Sequence, residues 1–322
     1  MRRLFITLVF AGLVLLPGCR KREPEHARVD AALAPLLPGD TTALACLRLD
    51  RLKGTPFYAK YVAGKRIKAL EEFVRTTGLD PREDIWELVF STNGRAPYVF
   101  IRGKFGGEFG FEPDFKTNGL VRSSYKGHYL IYLGDSGVVY MNTGAAVAGK
   151  VEDLKSLVDG FDNPKRTAPQ ALLDLVGTLP GTSHLWAASL QPSTLVQLGD
   201  APWLSAGPSA TPSNGMSANL ARIGRRVSQV TMWGDLSQGL ELHISALAGS
   251  ESDAAELRDV FRAGVSMGRL STADSQPDLL KLYDGLSGVA DGRAVRIDVK
   301  EPFELLDSVL ASMWPASDGP KK

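Results

Sequence analysis

The tripeptide Leu37-Pro38-Gly39 recurs as Leu179-Pro180-Gly181, and a short apolar run succeeds each copy, Thr42 to Leu49 in one case and Leu185 to Leu190 in the other. Proline and glycine punctuate a chain, and an apolar run of strand length after them reads as a buried strand. The next strands are alike in both halves too. Ile85 to Thr92 and Pro97 to Gly103 flank Asn93-Gly94 as a hairpin, and Val227 to Gly234 with Leu240 to Leu247 takes that place in the second half. In the second pair, Leu240, Leu242 and Ile244 alternate with Glu241, His243 and Ser245, the period of a strand with one buried face. The expected fold is therefore α+β, two diverged copies of an antiparallel sheet-plus-helices unit.

Helices are expected where apolar residues fall three and four apart. Lys65 to Thr77 carries Ile67, Leu70, Phe73 and Val74 on one face, with Gly78 as its stop, and Val151, Leu154, Leu157, Val158 and Phe161 mark another. Ser252 to Arg269 has Leu257, Val260, Phe261 and Val265 on a stripe, and Asp253 with Glu256 is spaced as a capping box. Shorter helices are expected over Ala31 to Leu37 and Pro277 to Leu286, and a final one from Pro302 through Phe303, Leu306, Leu310 and Met313. Tyr129 to Leu133 and Val138 to Met141 form a further hairpin across Gly134 to Gly137, and Val295, Ile297 and Val299 alternate along a last strand.

The N-terminus sets the compartment. Met1-Arg2-Arg3 precedes an apolar run from Leu4 to Leu16, too short for a span of about 20 residues, and Arg20-Lys21-Arg22 closes it. With its closing Leu16-Pro17-Gly18-Cys19, this stretch resembles a bacterial lipoprotein signal. The resemblance implies cleavage before Cys19, lipidation of Cys19, and a membrane as the partner reached through it. Arg20 after the cysteine implies the outer membrane, facing the periplasm, rather than the inner one. An ordinary secretory signal is the alternative. The expected divisions are then 1–18 cleaved signal, 19–30 tether, 31–161 first repeat, 162–178 linker, 179–314 second repeat and 315–322 disordered tail. Ala201 to Ser217, rich in Pro, Ser and Gly, reads as a surface loop. Cys46, the other cysteine, then has no partner within the chain and reads as a small buried hydrophobe.

Composition narrows the function. Loss of Arg2 and Arg3 with the signal leaves 35 basic residues against 36 acidic, without the basic excess of a nucleic-acid-binding protein. Gly215-Met216-Ser217-Ala218-Asn219 lacks the last glycine of a nucleophile elbow. None of His26, His128, His184 and His243 has a metal-ligand spacing, and the glycines at 103, 106, 107 and 110 are not followed by a phosphate-facing helix. No catalytic, cofactor or metal residue is assigned. Arg222, Arg225 and Arg226 read as a solvated helical face. Phe105, Phe109, Phe111 and Phe115 sit in a Gly-rich loop that is either core or a candidate contact loop. The leading expectation is a lipid-anchored cell-envelope protein with a non-catalytic binding or scaffolding role, its partner an envelope protein. Its alternatives are a carrier or sensor of an apolar ligand held between the repeats, and an envelope hydrolase with dispersed carboxylates.

Overall fold

Twelve strands hydrogen-bond into one sheet, every neighbouring pair antiparallel. The computed structural model describes residues 26–63, 65, 71, 74, 80–105, 119–161, 167–194, 226–273 and 275–313. In chain order the elements are β1 (Ala43–Arg48), α1 (Leu49–Leu52), α2 (Pro56–Tyr61), β2 (Ile85–Thr92), β3 (Pro97–Gly103), β4 (Val121–Tyr125), β5 (His128–Leu133), β6 (Ser136–Asn142) and β7 (Ala145–Lys150). Then come α3 (Val151–Asp159), α4 (Gln170–Val176), β8 (Leu185–Ser189), β9 (Val227–Asp235), β10 (Gly239–Ala248), α5 (Glu251–Ser271), α6 (Pro277–Asp284), β11 (Leu286–Asp291), β12 (Ala294–Pro302) and α7 (Phe303–Met313).

The strand order is β11-β12-β10-β9-β8-β1-β2-β3-β7-β6-β5-β4, so the two halves of the chain meet at the β1/β8 pair, where Cys46 lies opposite Trp186. Outward from this seam one side runs β1-β2-β3-β7-β6 and the other β8-β9-β10-β12-β11. Each half thus lays down three strands in succession, then places its last strand next and the one before it beyond that. A helix comes after each last strand, α3 after β7 and α7 after β12. The first half extends further, adding the β4–β5 hairpin.

Alternation gives the sheet two faces. The larger core lies on the face that carries Leu130, Val139, Val147, Phe100, Val89, Cys46 and Trp186, all at most 3% exposed. It is roofed by the N-terminal segment through Leu37, by α3 and by α4, which insert Leu33, Leu36, Leu154, Leu157, Leu172 and Val176. The opposite face holds a smaller cluster of Ile85, Val99, Ile101, Phe105, Tyr140 and Ala146, and a third cluster, of Ala248, Ala254 and Val295, lies beneath α5. Also among the helices, Tyr61 of α2 donates its hydroxyl to Asp307 of α7 at 2.5 Å, joining the two halves.

Both predicted hairpins of the first half form, as do β9, β10 and β12, because their apolar residues repeat every second position, as in β10 and β12, or make a short unbroken run, as in β3, β5 and β6. Several expectations are corrected. Residues 162–178 are not simply a linker, since they contain α4 with Leu172 and Val176 buried. Residues 26–30, expected in the tether, pack into the fold instead: His26 bridges Pro180, the Ala27 amide donates to the Leu179 carbonyl at 2.8 Å, and Ala27 and Val29 are buried. Ala31 to Leu37 yields only a 3-10 turn at Ala34–Leu36. α5 is capped three residues earlier than its capping-box spacing indicated, by Ser250, whose oxygen accepts the Asp253 amide at 3.1 Å. Val260, placed on the buried stripe, is 43% exposed. Pro302 ends β12 rather than opening α7. The helix expected over Lys65 to Thr77, the loop Ala201 to Ser217 and the tail 315–322 lie wholly or mostly outside the described residues.

Candidate functional site

One row of paired residues crosses the larger face from β5 to β12. From β5 it reads Leu130, Val139, Val147, Phe100, Val89, Cys46, Trp186, Trp233, His243 and Asp298, each opposite the next. The row is wholly apolar under the helices and becomes polar beyond Trp233. There the His243 ring stacks on the indole with centroids 4.1 Å apart and planes at 19°. Its Nδ1 lies 2.5 Å from an Asp298 oxygen, and its Nε2 lies 3.2 Å from Glu241. The alternation of β10 placed His243 on a polar face, but its partner Asp298 comes from a distant strand through register alone.

Two residues along the strands, a second row carries charge. Glu87 is paired with Arg102 on one side and Arg48 on the other. Arg48 donates its amide to the His184 carbonyl, and Asp235, at the end of the neighbouring strand, is paired with Glu241, which in turn faces Lys300. The side chains run from 5% exposed at Glu87 to 81% at Lys300, so the row emerges from beneath the N-terminal segment into solvent. Burial of a carboxylate is costly unless it is paired and hydrogen-bonded. Glu87 meets this with Arg48 Nε at 3.4 Å and with the Cys46 thiol, which donates to it at 3.4 Å. A backbone hydrogen bond from Asp30 adds to these, and Asp30 also lies 3.5 Å from Arg102. Burial still dominates and holds the Glu87 carboxyl above the ordinary glutamate range, with Arg48 opposing.

The chemistry of this region is that of a structural network. Burial, reinforced by the Glu87 charge, pushes the Cys46 thiol well above its ordinary value, which keeps it protonated and a poor nucleophile. His184 is 5% exposed, and its Nδ1 accepts the Leu236 amide at 3.2 Å, which assigns its proton to Nε2. Burial lowers its pKa against the pull of Asp235. Among the described residues no three His, Cys, Asp or Glu side chains are grouped to hold a metal ion.

A cleft of about 380 Å³ opens at the far end of the same face, between the β5–β6 hairpin and the start of α3. Leu130, Tyr132 and Val151 give it an apolar part, and Asp135, Lys150, Glu152, Asp153 and Lys155 line it with charges of both signs. The Val151 amide donates to the Asp135 carbonyl at 2.8 Å, tying the hairpin turn to the helix. Lys155 is paired with Glu152 at 2.9 Å, and this hydrogen bond raises its pKa. The turn between β5 and β6 was legible from Gly134 to Gly137; the cleft was not, because β4 and β7 on either side of it have no apolar alternation in sequence.

Of the candidate contact loop, Phe105 is 3% exposed and meets Tyr140 edge-on at 5.6 Å, which assigns it to the core. Phe109, Phe111 and Phe115 lie outside the described residues, as do Cys19, Arg222 and Arg225. Arg226 pairs with Glu256. Cys46 is buried and free, as its apolar neighbours indicated. Among the described residues no helix is long and apolar enough to cross a membrane.

No protein-family model matches the chain, and no curated protein sequence does. Among solved structures, crystal form I of TP0453 is similar at 10% identity over 87% of this chain and 97% of that one, with a TM-score of 0.45. Form III gives 10% over the same shares with a TM-score of 0.47, and form IV gives 9% over 86% and 96%, also with 0.47. A likeness of this size carries no functional inference.

Proposed function

We propose that this is a lipid-anchored protein of the bacterial cell envelope with a non-catalytic binding or scaffolding role, held on the outer membrane and facing the periplasm. The reading is carried by Leu16-Pro17-Gly18-Cys19 closing a short apolar run behind Arg2 and Arg3. A lipidated Cys19 holds the body durably, since acyl chains contribute about 0.8 kcal/mol per buried methylene and two or more chains make attachment stable. The buried, protonated Cys46 and the structural pairing of Glu87, Arg48 and His184 support a role without covalent chemistry. The matching strand succession on the two sides of the β1/β8 seam supports an origin by duplication of one unit.

The test is fractionation. The wild-type chain is expected in the membrane fraction and to incorporate labelled fatty acid, whereas Cys19→Ala releases the body to the soluble fraction. Retention of the variant in the membrane would overturn the anchor.

A further inference from the structure

We propose that the cleft between the β5–β6 hairpin and α3 is a saccharide-binding site, with a neutral sugar ring stacked on Tyr132. The assignment rests on the residues that line it. A volume of about 380 Å³ lies at the lower end of the range of about 300–1,000 Å³ for small-molecule sites, which suits one or two sugar rings rather than a chain fold or a lipid tail.

The charges decide the class of ligand. Asp135, Glu152 and Asp153 face Lys150 and Lys155, so an anion meets three carboxylates and a cation meets two ammonium groups. Glu152 and Lys155 further neutralise each other at 2.9 Å. A neutral ligand rich in hydroxyls avoids both penalties. Carboxylates accept from its hydroxyls, Lys150 and the Ser123 hydroxyl donate to its oxygens, and its C–H face packs on an aromatic ring flanked by Leu130 and Val151. Apolar ligands are disfavoured, because the charged groups would lose water with no hydrogen bonds in return.

Tyr132 is also held firmly enough to present its ring. Tyr132 lies opposite Gly137 on β6, where a Cβ would come within 2.7 Å of the Tyr132 Cβ, so only glycine lets the two strands meet there. α3 is fixed in turn by Leu154 and Leu157, buried in the core. The site gives the binding role proposed above a ligand class, and it does not depend on the anchor at Cys19.

The experiment uses the full chain in a detergent without sugar headgroups, titrated with N,N′-diacetylchitobiose, cellobiose, inorganic phosphate and putrescine and read by saturation-transfer NMR and by shifts of the Leu130 methyls. A disaccharide is expected to bind, with affinity reduced at least tenfold in Tyr132→Ala and kept within a few-fold in Tyr132→Phe, which retains the ring. Tyr129→Ala, on the same strand but the opposite face, is expected to bind as wild type. Absence of disaccharide binding, equal losses in Tyr129→Ala and Tyr132→Ala, or preferential binding of phosphate or putrescine overturns the assignment. Each of these results leaves the fractionation of Cys19→Ala unaffected, so failure of the site and failure of the anchor are separable.

Discussion

Leu172→Ala tests whether the segment between the two halves is part of the core. Leu172 is 0% exposed and lies in α4 with Val176, 1% exposed, and Leu179, 4% exposed, just beyond it. Removing a fully buried leucine side chain forfeits its transfer free energy and leaves a cavity, together about 2–5 kcal/mol. The surrounding groups are themselves anchored on the sheet, which limits relaxation and favours a loss of about 3 kcal/mol or more within that range. Against a total stability of about 5–15 kcal/mol this is a large fraction. With a urea slope of about 3 kcal/mol/M the midpoint falls by about 1 M. The assay is equilibrium urea unfolding followed by tryptophan fluorescence, since Trp186 lies in the same cluster. Thr178→Ala, exposed at the end of the segment, is the comparison. If Leu172→Ala stays within about 0.5 kcal/mol of wild type, as surface substitutions do, α4 does not seal the core and the reasoning fails.

Three further outcomes are expected. Ser250→Ala removes the acceptor for the Asp253 amide and costs about 1 kcal/mol, read as a lower thermal midpoint with faster amide exchange in the first turn of α5. Gly137→Ala drives a Cβ to within 2.7 Å of the Ile131 carbonyl and the Tyr132 Cβ, and overpacking of this kind costs about 1–3 kcal/mol by calorimetry. Glu87→Gln changes the pH dependence of stability. The folded carboxyl titrates above its unfolded value, so its contribution is fully present below the unfolded pKa and is lost as pH rises through the folded one. The variant is therefore expected to remove that loss and to gain on wild type between about pH 4.5 and neutrality in urea unfolding, and a wild-type advantage that grows with pH across this window would contradict it.

Where side chains alternate, the fold was legible. β2, β3, β5, β6, β9, β10 and β12 each carry apolar residues every second position or in a short unbroken run, because one or both of their faces are covered. Six elements were not, and two of them, α1 and α2, are only four and six residues long, too short for a helical period to show. β4 reads Val-Arg-Ser-Ser-Tyr and is exposed along most of its length, so burial imposed no pattern on it. β7 sets one strand former, Val147, among Ala145, Ala146, Ala148 and Gly149, small residues of low strand propensity that are tolerated because both neighbouring strands pair with it. β11 is an edge strand with Val289 half exposed, and α4 spans too few turns for a helical period to stand out. The polar rows were beyond reach for a different reason. Glu87, Arg48, Asp235 and Glu241 share one row only through strand register, whereas the sequence separates Arg48 from Glu241 by 193 residues, well over half its length.

The N-terminal segment at His26 to Asp30 also fixes how freely the body can move. Seven residue steps separate Cys19 from His26, a reach of at most about 25 Å. Twelve strands spaced about 4.8 Å apart give a sheet about 53 Å across. On the proposed lipidation of Cys19, the leash is shorter than the object it holds, and the body would not tumble as a free particle. Its point of attachment is beside the central seam, where His26 and Ala27 grip Leu179 and Pro180. A pull on the anchor is therefore shared by both halves at once, and the two ends of the sheet are left as the arms that sweep the nearby space.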